Sequence, residues 1–172
     1  MKAAPDALSP LKGRTDPQDE LRVLLDEIAG SGPIDIQTAR LIIEPYAAAA
    51  AASNASDADL TAIRDVHAAA VAAAGMEAFE TLDAEFHKLI FASTRNGLLA
   101  CINDILKIVR GQPAWNDIKR RNYSEARRIG YCKDHQAIVE ALLAHDATAA
   151  AAAMRAHVSA VSRNLFGDGG VL

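Results

Sequence analysis

Cysteine is nearly absent: the 172 residues hold only Cys101 and Cys132, far apart and without CxxC spacing. That excludes a zinc ribbon or a disulfide framework and fits a reducing compartment. Positive charge is also scarce, with 18 Lys and Arg against 22 Asp and Glu and a formal net charge of −4. The chain as a whole therefore offers no electrostatic footprint for DNA or an anionic membrane. The local exception, "KRRNYSEARR" at 119–128, reads as a solvated helix end, with nucleic-acid contact as the alternative. No charged-then-apolar segment opens the chain, and Arg, Asp and His interrupt the alanine runs before any could span a bilayer. Nowhere does a β-branched run alternate with period two over six residues, and no GxSxG, HExxH or phosphate-loop motif occurs. A soluble, cytoplasmic protein without enzymatic activity is the expectation.

What the sequence has is alanine, in "YAAAAAAS" (46–53), "HAAAVAAAG" (67–75) and "TAAAAAMRAH" (148–157), within a composition that is 51% hydrophobic. Alanine is the best helix former and lets helices approach closely. The fold class expected is all-α, an antiparallel bundle of six to seven helices joined by short loops. Residues 1–16 mix Pro, Gly and charge without periodicity and read as a leader or linker remnant; 17–167 form the ordered domain, and 168–172 a tail. "PQDELRVLLDEIAG" carries Pro17 at a first-turn position and Leu21, Leu24, Leu25 and Ile28 on one stripe. In the next segment, 35–54, Asp35 reads as the N-cap and Pro45 should bend the helix near Leu41. Ser56 with Asp59 three residues on reads as a cap for the third helix, which Gly75 should end.

The chemistry concentrates in "TLDAEFHKLIFAS" (81–93), where Asp83 and His87 are four residues apart and so share a helix face. Such a pair addresses water, a partner charge or a metal. His135 and His157 lie 11 residues before and 11 after Asp146, in the expected turn between the last two helices. At a common rise per residue, equal offsets place the two imidazoles level across an antiparallel hairpin. If the Asp83 helix packs against it, one Asp and three His meet at one depth, a set that suits Zn, Ni, Mn or Fe. The competing reading is a surface hydrogen bond and histidines satisfied by backbone carbonyls. His67 and His145 are expected in solvent. Glu85, two residues from both Asp83 and His87, should point away from their face. Arg40 and Glu44 form a second i,i+4 pair in "ARLIIEPY", either a surface salt bridge or an inward guanidinium that binds a carboxylate bidentately. Asn96 reads first as a helix cap and second as a ligand contact.

"ARLIIEPYAAAAAA", "LDAEFHKLIFASTRNGLL" and "DHQAIVEALLAHDATAAAAAMRAHV" occur in the order and approximate spacing of the C-terminal effector domain, the FCD domain, of GntR-superfamily transcription regulators of the FadR subfamily. The chain resembles that domain from about residue 17 to 166. The resemblance implies a helical bundle that binds a small effector, often a carboxylate metabolite, in an internal cavity, and that forms a homodimer. It also implies a divalent metal, zinc or nickel before manganese or iron, held by Asp83, His87, His135 and His157. Arg40 and Asn96 carry over as effector contacts. Family members join this domain to a winged helix-turn-helix DNA reader, for which no recognition-helix pattern is visible here, so DNA binding is expected only through such a module in a parent protein. A metalloenzyme and a metal-free dimerisation bundle are the competing functions.

Overall fold

A computed structural model describes residues 17–167, and the readings made for 1–16 and 168–172 lie outside them. Eight helices are described: α1 (Pro17–Ala29), α2 (Pro33–Asn54), α3 (Asp57–Ala72), α4 (Met76–Ser93), α5 (Gly97–Arg110), α6 (Pro113–Asn122), α7 (Glu125–Leu143) and α8 (Ala147–Phe166). No strand occurs among the described residues. The count exceeds the expected six to seven because Gly111 and Gln112 end one helix and Pro113 starts another. Proline lacks the N–H that a continuing helix would need, but suits a first turn. Residues up to Ser31 form one compact unit, which among the described residues holds α1, and the rest form another.

In the larger unit α2 packs along α8, α8 against α7, and α3 against both α4 and α7, while α4 also lies against α2 and α5. The alanine runs explain the closeness: Ala47, Ala48, Ala51 and Ala52 of α2 and Ala150 of α8 are fully buried. Phe86, Ile90, Ile138, Leu142 and Met154 fill the space between them. Pro45 does not interrupt α2, which runs unbroken to Asn54. The Leu41 carbonyl, deprived of its usual partner four residues on, accepts from Arg155 Nη1 of α8 at 3.4 Å.

The capping chemistry is local and mostly as the residue types dictate. Ser56 and Asp59 cap α3 reciprocally. Asp35 is a correction: α2 starts earlier, at Pro33, and Asp35 accepts from the Gly32 amide at 3.2 Å. Gly75 is another, since α3 ends at Ala72 and Gly75, at φ 82°, instead precedes α4 as its N-cap. Between α7 and α8 the turn is tight. His145 adopts the left-handed conformation (φ 53°), the Asp146 amide donates to Ala141 O at 2.9 Å and the His145 amide to Leu142 O at 3.0 Å. This is a Schellman closure. Asp146 then accepts from the Ala149 amide at 2.9 Å and so opens α8.

Candidate metal centre

Helix α4 presents Asp83 and His87 one turn apart, α7 presents His135 and α8 presents His157, and all four are buried. The α7–α8 turn sets the level of the last two, and their Nε2 atoms stand 3.2 Å apart. Asp83 Oδ1 is 3.6 Å from His135 Nε2 and 3.9 Å from His87 Nε2. One ligand atom from each residue lies within 4.8 Å of all the others. Two nitrogens each about 2.1 Å from a common ion would stand about 3.0 to 3.4 Å apart at octahedral or tetrahedral angles. The His135–His157 separation lies in that range, and the two Asp83 distances exceed it by a few tenths of an ångström. His87 Nε2 is buried without a hydrogen-bond partner, as a ligand atom facing a shared centre would be.

The opposite ring nitrogens meet carboxylates. His87 Nδ1 is 3.1 Å from Glu44 Oε2, close enough to pair although its N–H is not aligned for a hydrogen bond. His157 Nδ1 lies 3.5 Å from Asp134 Oδ2. Carboxylates in this position orient the imidazole and raise its basicity toward a metal. Glu44 is fixed in turn by Arg40, whose Nε donates to it at 2.6 Å and Nη2 at 3.3 Å, while Arg40 Nη1 reaches Gln37 Oε1 at 3.3 Å. Gln37 donates onward to Val158 O of α8 at 2.8 Å. Asp83 has a second partner too, Arg110 Nη2 at 3.2 Å from Oδ2, which leaves Oδ1 toward the histidines. Phe86 stacks on His135 with ring centroids 4.3 Å apart and holds that imidazole in place.

Burial by itself would raise Asp83, but His87, Arg110, His135 and His157 outweigh it and hold the carboxyl well below the usual range. Glu44 follows the same pattern: desolvation is overcome by Arg40 and His87, and the group stays ionised. Burial, reinforced by His157, pushes His135 well down, and burial also lowers His157. An ionised Asp83 beside His135 and His157 held toward their neutral forms is the protonation state a metal requires of those ligands.

Of the residues singled out in the sequence, the four ligand candidates and Arg40 come together. Arg40 is 1% exposed, so its pair with Glu44 is the inward alternative rather than the surface one. Asn96 is placed elsewhere: it is exposed, and its Oδ1 caps α5 by accepting from the Leu98 and Leu99 amides at 3.0 and 3.3 Å. His67 corrects the expectation of exposure; it is buried on α3 with Nε2 2.9 Å from Gln136 Oε1. His145 is exposed as expected, with Nδ1 2.9 Å from Ala52 O. Glu85 is turned outward and bonded to Lys88 at 3.0 Å.

A cavity of about 40 Å³ adjoins the centre, bordered by Arg40, Asp83 and His157 on one hand and by Arg110, Trp115 and Lys119 on the other. Sequence reasoning missed the second group. It also placed the 119–128 basic stretch in solvent, whereas Lys119, Arg127 and Arg128 of that stretch line this cavity. Lys119 pairs with Glu80, and Arg128 donates to Glu125 and to the Ala70 carbonyl. The signal available was weak, because a cation-rich segment at a helix end looks the same whether it faces water or a cavity.

Comparison with known proteins identifies the family and the fold. The chain is 29% identical over 146 residues to the Exu regulon transcriptional regulator of Escherichia coli (strain K12), covering 83% of this chain and 55% of that protein. The Exu regulon transcriptional regulator of Shigella flexneri matches with the same figures. The chain thus spans about half the length of the curated relatives it matches. A solved structure described as Streptococcus agalactiae GntR shares the fold with a TM-score of 0.63 at 21% identity, over 79% of this chain and 58% of that one. The profile of the FCD domain matches residues 35–160, most of the sequence, and the chain belongs to the FCD domain family.

Proposed function

We propose that this chain is the effector-sensing domain of a GntR-type transcription regulator, and that its sensing depends on a divalent metal held by Asp83, His87, His135 and His157. The observation that carries the reading is the convergence of one ionised carboxylate and three buried imidazoles on a common point beside a cation-lined cavity. The metal, zinc or nickel before manganese or iron, would offer a Lewis-acidic position for an effector carboxylate. Arg40 and Arg110 lower the cost of bringing that carboxylate into a buried site, and Glu44 keeps His87 oriented. The ligands come from α4, α7 and α8, so an effector held there biases how α4 sits on the α7–α8 hairpin. In a homodimer of the parent protein, that bias would be passed to its winged helix-turn-helix readers as a population shift. A sensor is favoured over an enzyme because Glu85, the nearest further carboxylate in sequence, faces outward and pairs with Lys88. No described helix is long and apolar enough to cross a membrane, and the reading places the parent in the cytoplasm.

Elemental analysis of chain purified without added metal, followed by melting with and without Zn²⁺ or Ni²⁺, tests this. One ion per chain and a clearly higher melting temperature with metal are expected. Absence of bound metal together with unchanged melting overturns the metal-dependent reading.

A further inference from the structure

Two buried donors beside the cavity have no acceptor: Arg110 Nε of α5 and Trp115 Nε1 of α6. Trp115 is 2% exposed and the Arg110 side chain 13%. Buried donors are nearly always matched, so an unmatched pair within five residues on one wall marks a position for an acceptor that the protein itself does not supply. Among the described groups around the cavity His157 Nδ1 also lacks a hydrogen bond, although it faces Asp134 at 3.5 Å. The other cations and Tyr131 are engaged. Arg40 is held by Glu44, Lys119 by Glu80, Arg127 by the Asn122 carbonyl and Tyr131 by Asn164. Five cationic side chains, Arg40, Arg110, Lys119, Arg127 and Arg128, line the cavity. Arg40, Arg110, Lys119 and Arg128 are paired with a carboxylate, Glu44, Asp83, Glu80 and Glu125 respectively, while Arg127 meets the neutral Asn122, so the wall keeps one positive charge in excess. The missing acceptor should therefore carry negative charge. Glu80, Arg110 and Lys119 also line an open groove of about 590 Å³ between α4, α5 and α6, so this wall lies between the cavity and solvent.

We propose that Trp115 Nε1 and Arg110 Nε form a second subsite for the distal carboxylate of a dicarboxylic acid, whose first carboxylate meets the Asp83–His157 side of the same cavity. The inference rests on the sensor reading above and deepens it: the ligand is two-ended, and α6 selects for the second end. Trp115 is a specificity-determining residue that donates one neutral hydrogen bond, and Arg110 supplies the charge. Because Arg110 also holds Asp83 through Nη2, one guanidinium ties the two subsites together.

The test uses the full chain saturated with Zn²⁺, with succinate and propionate as probes in calorimetric titrations. Trp115 is the single tryptophan, so its emission reports on the subsite directly. Succinate should bind about tenfold or more tighter than propionate, as expected for a hydrogen bond to a charged group. It should also red-shift the indole emission, which propionate should leave in place. Trp115→Phe keeps an aromatic ring, though a smaller one, and removes the donor; it should cost succinate about tenfold and propionate less than twofold. Equal binding of the two acids with no change in emission overturns the subsite while leaving the sensor reading intact. Equal weakening of both acids by Trp115→Phe overturns the subsite as well, since that marks a packing effect. Should the variant fail to fold, the wild-type emission and affinity ratio still decide. Failure of both acids to bind the Zn²⁺-loaded wild type removes the sensor reading and the subsite with it.

Discussion

The imidazole centre and the α5–α6 wall border one cavity and ask for opposite partners. At the centre, carboxylate oxygen and imidazole nitrogens converge within 4.8 Å, an arrangement that repels anions and is relieved by a cation. At the wall, the unmatched atoms are donors, Arg110 Nε and Trp115 Nε1, and an anion relieves them. The sequence distance differs as sharply. Ligands 83, 87, 135 and 157 are brought together by three helices, whereas the wall is built from residues 110–119 around one helix break. A centre assembled from distant elements fixes the relative positions of those elements, while a wall built locally meets the centre through one tie, Arg110 to Asp83.

The sharpest way to break the contrast is at the centre. His135→Ala should lower zinc affinity at least about a hundredfold and abolish the metal-induced rise in melting temperature, read by competition with a chelating dye. Next in size is Glu44→Gln, which leaves the Arg40 guanidinium buried opposite a neutral amide. It should cost about 3 kcal/mol in denaturant melts and about ten- to a hundredfold in metal affinity. If Glu44 mattered only to packing, the stability would fall and the metal affinity would not. A smaller effect is set by pH in the metal-free chain. His135 and His157 are held below their ordinary value by burial, so below about pH 6.5 the unfolded chain takes up protons that the native state refuses. Stability is then full above about pH 6.5 and falls on acidification, on the order of 1 kcal/mol per pH unit for each group. Denaturant melts at three pH values spanning that point would show a flat profile if the imidazoles were solvated. The smallest effect belongs outside both regions: Asn96→Ala removes the α5 cap and should cost about 1 kcal/mol with zinc and succinate affinities unchanged. A loss of succinate binding in that variant would return Asn96 to the ligand site.

Most of the centre was legible because helices translate sequence spacing into position with a fixed pitch. Asp83 and His87 share a face by their separation, and the symmetric offsets of His135 and His157 about Asp146 bring their Nε2 atoms to 3.2 Å. Metal occupancy itself is a further step that spacing does not take. The Arg40–Glu44 pair was visible, but its direction was not, since i,i+4 spacing is the same on the wet and dry faces of a helix. The burial of Arg40 follows from α8 packing against α2, a tertiary fact with no local signature. His67 was misplaced for a related reason. Its alanine neighbours carry no marker of which face turns inward, and Gln136, its partner, is 69 residues away. The α5–α6 wall was the least legible, because an unmatched donor is defined by what does not surround it, and only packed coordinates show that.

The turn at 144–146 has a consequence for how the domain tolerates change. Loops ordinarily accept insertions with little penalty, but here Asp146 closes α7 and opens α8 with no slack residue between. One added residue would turn α8 by about 100° and advance it by about 1.5 Å, and Ala156 would stand where His157 stands now. One deleted residue would put Val158 there. The length of this connection, which touches no ligand, is thus as strict a determinant of the imidazole triplet as the histidine codons themselves.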